Sequence, residues 1–486
     1  MNKHRTLRAA YVNGLVVGLC MLSLCNLVYS QANSGTITGT VFDPQQAVIP
    51  GAAVTITLVE QGLVRNVVTN SSGLYEAKFL PIGSYSVSIE HSGFKKQIKT
   101  DLILTVGQTL RADFKLEVGV ESQTVEVKAD VTQDLKTESS EVSQVITSSQ
   151  VVDLPLNGRN FEDLIPLNAG VTNGLQGASN SGYNFNGQRT DQNMFMVEGI
   201  DNMNWDNNLQ LKPSIDAIEE FQIQTGNFSA EFGRAAGGIV LVQLRSGTNA
   251  YHGTVFEFLR NDKLDANGFF ENQVPPPPGE STAPKTPLKR NQFGGTFGGP
   301  LKKDNTFFFV DYQGSRQRLG RSEIFTVPTL EERRGDFSKS LPAGTPIFQN
   351  LLLGTLYPGC DPANFVTCQQ VPQSAFDPAA LRVAELYPAP NVPGVFVEDL
   401  GTFNNFATSG SSADDADSFD VKFDFHPRSS DSISFHYSFS KTNSVIPAAF
   451  GDGTVGPCID CGLVLGLLAG NSRGRSQNVG LTEIHN

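Results

Sequence analysis

Between Ser418 and Ser440 the chain alternates strictly between apolar and polar positions, in two runs divided by one short polar turn. In the first run Phe419, Val421, Phe423 and Phe425 share one face, and Ser418, Asp420, Lys422 and Asp424 the other. In the second, Ile433, Phe435, Tyr437 and Phe439 oppose Ser432, Ser434, His436 and Ser438. Period-two alternation predicts extended strands. The regularity fits a hairpin with its apolar face on lipid and its polar face on a lumen, although a soluble sandwich also alternates. Similar segments predict four more strands of this kind: Tyr251 to Arg260, Lys289 to Gly299, Asn305 to Gly314 and Gly474 to Ile484. Each approaches the ten residues that a tilted membrane strand needs. Their connections differ in length: Pro300 to Asp304 and Pro427 to Ser430 are short, whereas 261–288, 315–417 and 441–473 are long. Short turns on one side of a membrane and long loops on the other give that asymmetry.

A different pattern fills residues 34 to 117, where six short strands are expected at Thr36 to Val41, Ala53 to Leu58, Arg65 to Thr69, Leu74 to Ala77, Ser84 to Ile89 and Arg111 to Leu116. Asp43-Pro44, Pro50-Gly51, Asn70 to Gly73 and Pro81 to Gly83 punctuate them with turn chemistry, which predicts a β-sandwich. The chain opens with Lys3, Arg5 and Arg8, an apolar stretch from Tyr11 to Leu24 and small or polar residues near Ser30 to Ala32. This reads as a secretory signal peptide over residues 1–31, too short for a spanning helix of roughly 20 residues. Cys25 follows Leu24 where a lipoprotein signal carries a small residue, so lipidation is not expected.

Composition agrees with an exported β protein: 47 Gly and 33 Phe stand beside only 17% charged residues. The formal net charge is −13, or −16 without the three basic residues of the leader, which speaks against nucleic acid as a partner. Beyond the leader, four cysteines remain: Cys360 with Cys368, and Cys458 with Cys461. In an oxidising compartment the sequence-local pairs form two disulfides most simply, although four cysteines allow three connectivities. A zinc site would want a second ligand pair nearby, and a redox motif a βαβ context. The six histidines, at 4, 91, 252, 426, 436 and 485, are scattered, with no metal-binding spacing. On this basis no catalytic, cofactor or metal site is expected. His436 reads as a solvated lumen residue, and Asp414, Asp415 and Asp417 as a solvated loop cluster lacking the calcium-loop pattern.

Gly39-Thr40-Val41, Pro50-Gly51-Ala52, Gly73-Leu74-Tyr75 and Leu80 to Tyr85 make residues 34–117 resemble the carboxypeptidase regulatory-like domain, a transthyretin-like sandwich of the carbohydrate-binding-like fold. These are turn and core positions, and no exposed aromatic platform for sugar accompanies them. Residues 118–144 read as a linker. Within it Thr124, Val125, Glu126, Val127 and Lys128 could be captured by another protein as an added strand, or be a last strand of the sandwich, or a plain tether.

Leu154 to Arg159, Asn184 to Arg189, Phe195 to Asp201, Ile218 to Ile223 and the run Ser229 to Val240 through Asn249 are similar to the plug domain and first barrel strand of TonB-dependent outer-membrane receptors of the Oar-like type. The plug signature is Glu231, Gly233, Arg234, Gly237 and Gly238, with Gly237-Gly238 permitting close backbone approach. The resemblance implies a plug over 145–249 and an outer-membrane barrel from 250 to 486, with long external loops. It further implies an extracellular ligand, a TonB-type transducer pairing with Thr124 to Lys128, contact with outer-membrane lipid, and an energy-coupled import cycle. A plugged barrel has about 22 strands, and six cannot close round a plug. The chain ends at His485-Asn486 without a terminal aromatic strand, so a C-terminally truncated receptor is the expectation. The whole reads as mainly β: an N-terminal transthyretin-like sandwich, a plug and a partial transmembrane barrel. A cell-surface adhesion or polymer-binding protein is the alternative, and an enzyme comes third because the catalytic partner of a regulatory-like sandwich is missing.

Overall fold

The computed structural model describes residues 34–119, 124–128, 139–174, 182–204, 209–229, 232–233, 235–267, 269, 272, 285–341, 347–350, 355–357, 360–361, 368–397, 401–446 and 470–485. The chain is mainly β. Residues of the expected signal peptide, with Glu231, Arg234, Cys458 and Cys461, lie outside the described residues.

The N-terminal sandwich is built from β1 (Gly35–Phe42), β2 (Ala53–Leu58), β3 (Leu63–Val68), β4 (Leu74–Leu80), β5 (Gly83–Glu90), β6 (Lys96–Leu104), β7 (Thr109–Arg111), β8 (Phe114–Lys115) and β9 (Thr124–Lys128). One sheet runs β4-β1-β7, with β8 also on β1; the other runs β3-β2-β5-β6-β9. Alternate residues of β5, Tyr85, Val87 and Ile89, enter a core shared with Ile37, Ile56, Tyr75 and Phe114. The two buried phenols keep partners: Tyr75 donates to Ala112 O at 2.6 Å and Tyr85 to Pro81 O at 2.7 Å. Burial raises the pKa of both, so they stay neutral donors at any ordinary pH. Of these strands, β6 escaped the sequence pattern. Its first half, Lys96 to Thr100, is polar and only half buried, and Asp101 takes a positive φ of 60° that breaks the alternation before Leu102 and Leu104 turn inward.

The plug follows, with β10 (Val142–Thr147), helix α1 (Ser148–Asp153), β11 (Val171–Asn173), β12 (Tyr183–Phe185), β13 (Met194–Val197), β14 (Ile200–Asp201), β15 (Ile218–Gly226) and β16 (Ile239–Leu244). Its main sheet runs β10-β15-β16-β13-β14, and every residue of β16 is buried. The stretch read as a linker therefore holds a sandwich strand and, from Val142, the start of the plug sheet.

A single antiparallel sheet forms the wall, β17 (His252–Asn261), β18 (Leu288–Lys302), β19 (Thr306–Phe325), β24 (Phe406–Arg428), β25 (Asp431–Ile446) and β26 (Gly470–His485), paired in that order. The hairpins β20 (Phe348–Asn350) with β21 (Thr355–Leu356) and β22 (Val395–Val397) with β23 (Gly401–Phe403), together with helix α2 (Pro378–Leu386), decorate the connection between β19 and β24. All six wall strands coincide with the expected ones. They run further at the long-loop end, where β19 and β24 pair without interruption from Thr306↔Phe425 to Phe325↔Phe406. Asp414, Asp415 and Asp417 consequently lie on a strand and not on a loop, with Arg318 to Asp415 and Arg316 to Asp417 each at 2.7 Å. Among the described residues β17 and β26 do not pair with each other, so the sheet is open.

The wall is inverted relative to a soluble protein. Its polar face is buried, with Asp420 1%, Lys422 4%, Asp424 7% and His426 5% exposed, while on the other face Phe423, Phe425, Val479 and Leu481 are 38%, 40%, 60% and 66% exposed. His436, expected to be solvated, is likewise buried, with Nε2 against Asn478 Oδ1 at 3.3 Å. The plug fills the space where lumen water was expected.

Gly237 and Gly238 sit where β16 begins beside Asn193. Gly237 N donates to Gln192 O at 3.0 Å and Gly238 N to Asn193 Oδ1 at 3.1 Å. A Cβ on Gly238 would lie 2.1 Å from Cδ1 of the fully buried Phe185, whereas one on Gly233 would meet nothing within 4 Å. Replacing Gly238 by Val is expected to destabilise the plug by about 1–3 kcal/mol through overpacking, with Gly233→Ala nearly neutral. Urea unfolding of the two variants checks this; equal midpoints would remove the steric role from Gly238.

Candidate functional site

Glu198 occupies the two-residue turn between β13 and β14, where Val197 pairs with Ile200. Glu198 and Gly199 both have positive φ, 51° and 77°, the left-handed pair that a tight hairpin requires. Glycine takes such a conformation freely; glutamate does so at a cost, offset here by what its carboxylate gathers. It accepts from Leu244 N at 2.6 Å, Gln243 Nε2 at 3.1 Å and Lys422 Nζ at 2.9 Å. Lys422 comes from the inner face of β24 and also donates to Leu244 O at 3.1 Å. The two side chains are only 5% and 7% exposed, so this ion pair joins plug to wall out of water. Sequence reasoning named both residues without pairing them. The available signal was Lys422 itself, the lone cation on the lumen face between Asp420 and Asp424, which called for an acid from the plug.

A second attachment begins at Leu154 to Arg159. Arg159 pairs with Asp216 of the plug and lays its guanidinium over Phe256 and Phe258 of β17, 4.6 and 4.2 Å from the ring centroids. Burial lowers the pKa of this guanidinium while Asp216 opposes the shift, and an arginine so placed remains charged. Desolvated cation–π contacts of this kind contribute on the order of 1–2 kcal/mol. Beside it Asn157 Oδ1 accepts from Arg260 at 2.7 Å and Arg290 at 3.1 Å, and Gly158 O accepts from Gln292 at 2.9 Å. Further round the wall, Asp311 and Asp420 face each other in register on the buried side.

The sandwich closes the short-turn end. Gln61 Nε2 donates to Gly247 O at 2.9 Å while its Oε1 meets Nε2 of His426 at 3.2 Å, which places the ring proton on that nitrogen. Arg65 donates to Ser429 O in the β24–β25 turn at 2.8 Å, and Val106 N to Glu220 of β15 at 2.5 Å. Val106 is fully buried in a small core with Met196, Ile239 and Leu241 of the plug. Where the three parts meet, a cavity of about 220 Å³ remains, lined by Gln61, Glu198, Arg245, Lys422, Asp424 and His426 among others.

Thr124 to Lys128 form β9, parallel to β6 in the register Lys96↔Thr124 to Thr100↔Lys128, at the edge of the sandwich and mostly exposed. Cys360 and Cys368 are bonded to each other within the long β19–β24 connection.

Three family models cover the chain: the carboxypeptidase regulatory-like domain over residues 36–117, the TonB-dependent receptor plug domain over 135–240 and the outer membrane β-barrel domain over 243–486. The chain belongs to the TonB-dependent outer-membrane receptors. The receptor is 30% identical over 311 residues to the TonB-dependent transporter Oar of Myxococcus xanthus, a match that takes in 62% of this chain and 28% of that protein. It is similar to a mutant of the ferric enterobactin receptor PfeA of Pseudomonas aeruginosa, at 14% identity and TM-score 0.38 over 71% of this chain and 38% of that one. The outer-membrane transporter YddB of Escherichia coli is similar at 12% identity and TM-score 0.36, over 63% and 34% respectively. The location is the outer membrane, and the family is one of receptors and transporters rather than of enzymes.

Breaking the plug-to-wall pair from one side strands the other charge in a buried site. Lys422→Met and Glu198→Gln are each expected to cost about 3–5 kcal/mol, and the double variant less than their sum. A double-mutant cycle in urea provides the check; strict additivity would mean that the pair carries no coupling.

Proposed function

We propose that the receptor acts as an energy-coupled importer of an extracellular ligand, with a TonB-type transducer of the periplasm capturing Thr124 to Lys128. What supports this reading is the seating of a plug against the inner face of the wall largely by polar attachments, a buried ion pair and an arginine stack among them. Such a contact can be re-made after displacement, whereas a continuous apolar seam would resist it. The transducer would add its own strand to β9, using backbone hydrogen bonds for affinity and alternate side chains for register. An exposed edge strand is suited to that exchange. The ligand would be met by the long connections opposite the sandwich, stapled at Cys360–Cys368 and, on the same reading, at Cys458–Cys461. The adhesion reading is the weaker one, because the sandwich packs at the short-turn end beneath the plug and not among the long connections.

A cysteine at Val125 is expected to cross-link to a periplasmic transducer in intact cells, and Val125→Pro to abolish both capture of the transducer and uptake of ligand, since proline cannot join a strand pair. Capture undiminished by the proline would place the transducer's contact elsewhere.

A further inference from the structure

The cavity where sandwich, plug and wall meet holds polar atoms that nothing among the described residues satisfies. Asp424 of β24 is buried; its Oδ1 accepts from Ser434 Oγ at 2.7 Å, and its Oδ2 has no partner. His426, also buried, turns its Nε2 to Gln61, so Nδ1 is a bare acceptor and it too lacks a partner. Gln243 of β16, 8% exposed, uses its Nε2 on Glu198 and leaves Oε1 unpaired. All three residues line the cavity. Each missing partner is a donor, and a buried acceptor without one is costly.

The charge points the same way. Among the lining residues Lys422 pairs with Glu198, and Arg245 lies 3.5 Å from Glu219. Lys422 already gives N–H groups to Glu198 and to Leu244 O. Asp424, and Glu60 on the exposed side, are left without an ion-pair partner among the described residues. The occupant that fits is therefore a small cation rich in N–H donors. A primary ammonium is that group, with three donors and no acceptor. The chain itself supplies one within reach. Ser34 lines the cavity, one residue before β1. Removal of the leader expected over residues 1–31 makes Ala32 the first residue, and its new α-ammonium lies two residues from Ser34, a span of about 7 Å at most.

We infer that the cavity is a primary-ammonium site whose occupant is the N terminus of the processed chain, with Asp424 as counter-ion and His426 Nδ1 and Gln243 Oε1 as neighbouring acceptors. Before cleavage the same nitrogen is an uncharged peptide link, so the site fills only on a processed chain. The new charge then fastens the start of β1 to the wall from inside, beside Gln61. Leader removal becomes a condition for seating the sandwich, and the inference holds whether or not a ligand is imported.

The test uses the chain exported from its own leader and kept in outer-membrane vesicles. N-terminal sequencing locates the cut, and a chain that does not begin with a free amine at Ala32 overturns the proposal. Acylation of that amine by a succinimidyl ester near neutral pH is read by mass spectrometry of the N-terminal peptide. It is expected to be slower than in urea by on the order of tenfold or more, since reaction needs local opening. Asp424→Asn should make it fast, whereas Asp415→Asn, on the same strand outside the cavity, should leave it slow. Ala32→Gln is the independent arm, because an N-terminal glutamine cyclises to a neutral lactam and leaves the cavity intact. Its urea midpoint should fall as that of Asp424→Asn does, and the double variant should fall no further than Asp424→Asn alone. An amine as reactive in the vesicles as in urea, or two losses that simply add, would overturn the proposal.

Discussion

In hydrocarbon a backbone N–H or C=O without a partner costs several kcal/mol, and everything in this molecule follows from meeting that constraint with strands. Strands alternate, so a wall that shows lipid one apolar face must turn a polar face inward. Something has to satisfy that second face. Here the plug does so, through Glu198 against Lys422, Ser214 against Gln313 at 3.1 Å and Gly158 against Gln292. The plug is thus as much the solvent of the wall as its stopper. In turn, its own apolar core borrows Phe309, which β19 sends inward.

The same alternation explains how much could be read from the chain beforehand. Asp420 to Phe425 and Ile433 to Phe439 announce both faces, and all six wall strands coincide with the pattern. What stayed hidden was contact between distant segments. That Glu198 meets Lys422, 224 residues away, depends on a turn with two positive φ values whose position in the lumen no local pattern encodes. His436 was misjudged for the same reason: period two assigns it to the inner face, but only the plug decides whether that face is wet. Strand β6 escaped because its first half carries Lys96, Gln97 and Lys99, half-buried side chains that give no alternation. The extension of β19 and β24 beyond the membrane band was illegible because Arg316, Arg318, Asp415 and Asp417 read as loop charge until cross-strand pairing places them opposite one another.

Among the described residues, individual side chains join the three modules. Gln61 spans all of them, reaching the plug at Gly247 and the wall at His426 from a sandwich loop. Such an amide tolerates no shift of either partner, because donor and acceptor ends are both used in a buried place. The sandwich, plug and wall are therefore registered to one another around the cavity between them.

The parallel pairing of β9 with β6 has a mechanical meaning. A tension drawn along β9 loads its five register pairs together, in shear, whereas a tension across it would part them one at a time from an end. Shear joints hold until a threshold and then fail at once; peeling joints yield gradually at low load. Gln61 and Val106 tie the same sandwich to the plug, and Arg65 ties it to the wall. The sandwich would then serve as a fuse in that line, setting the force below which the lumen stays shut.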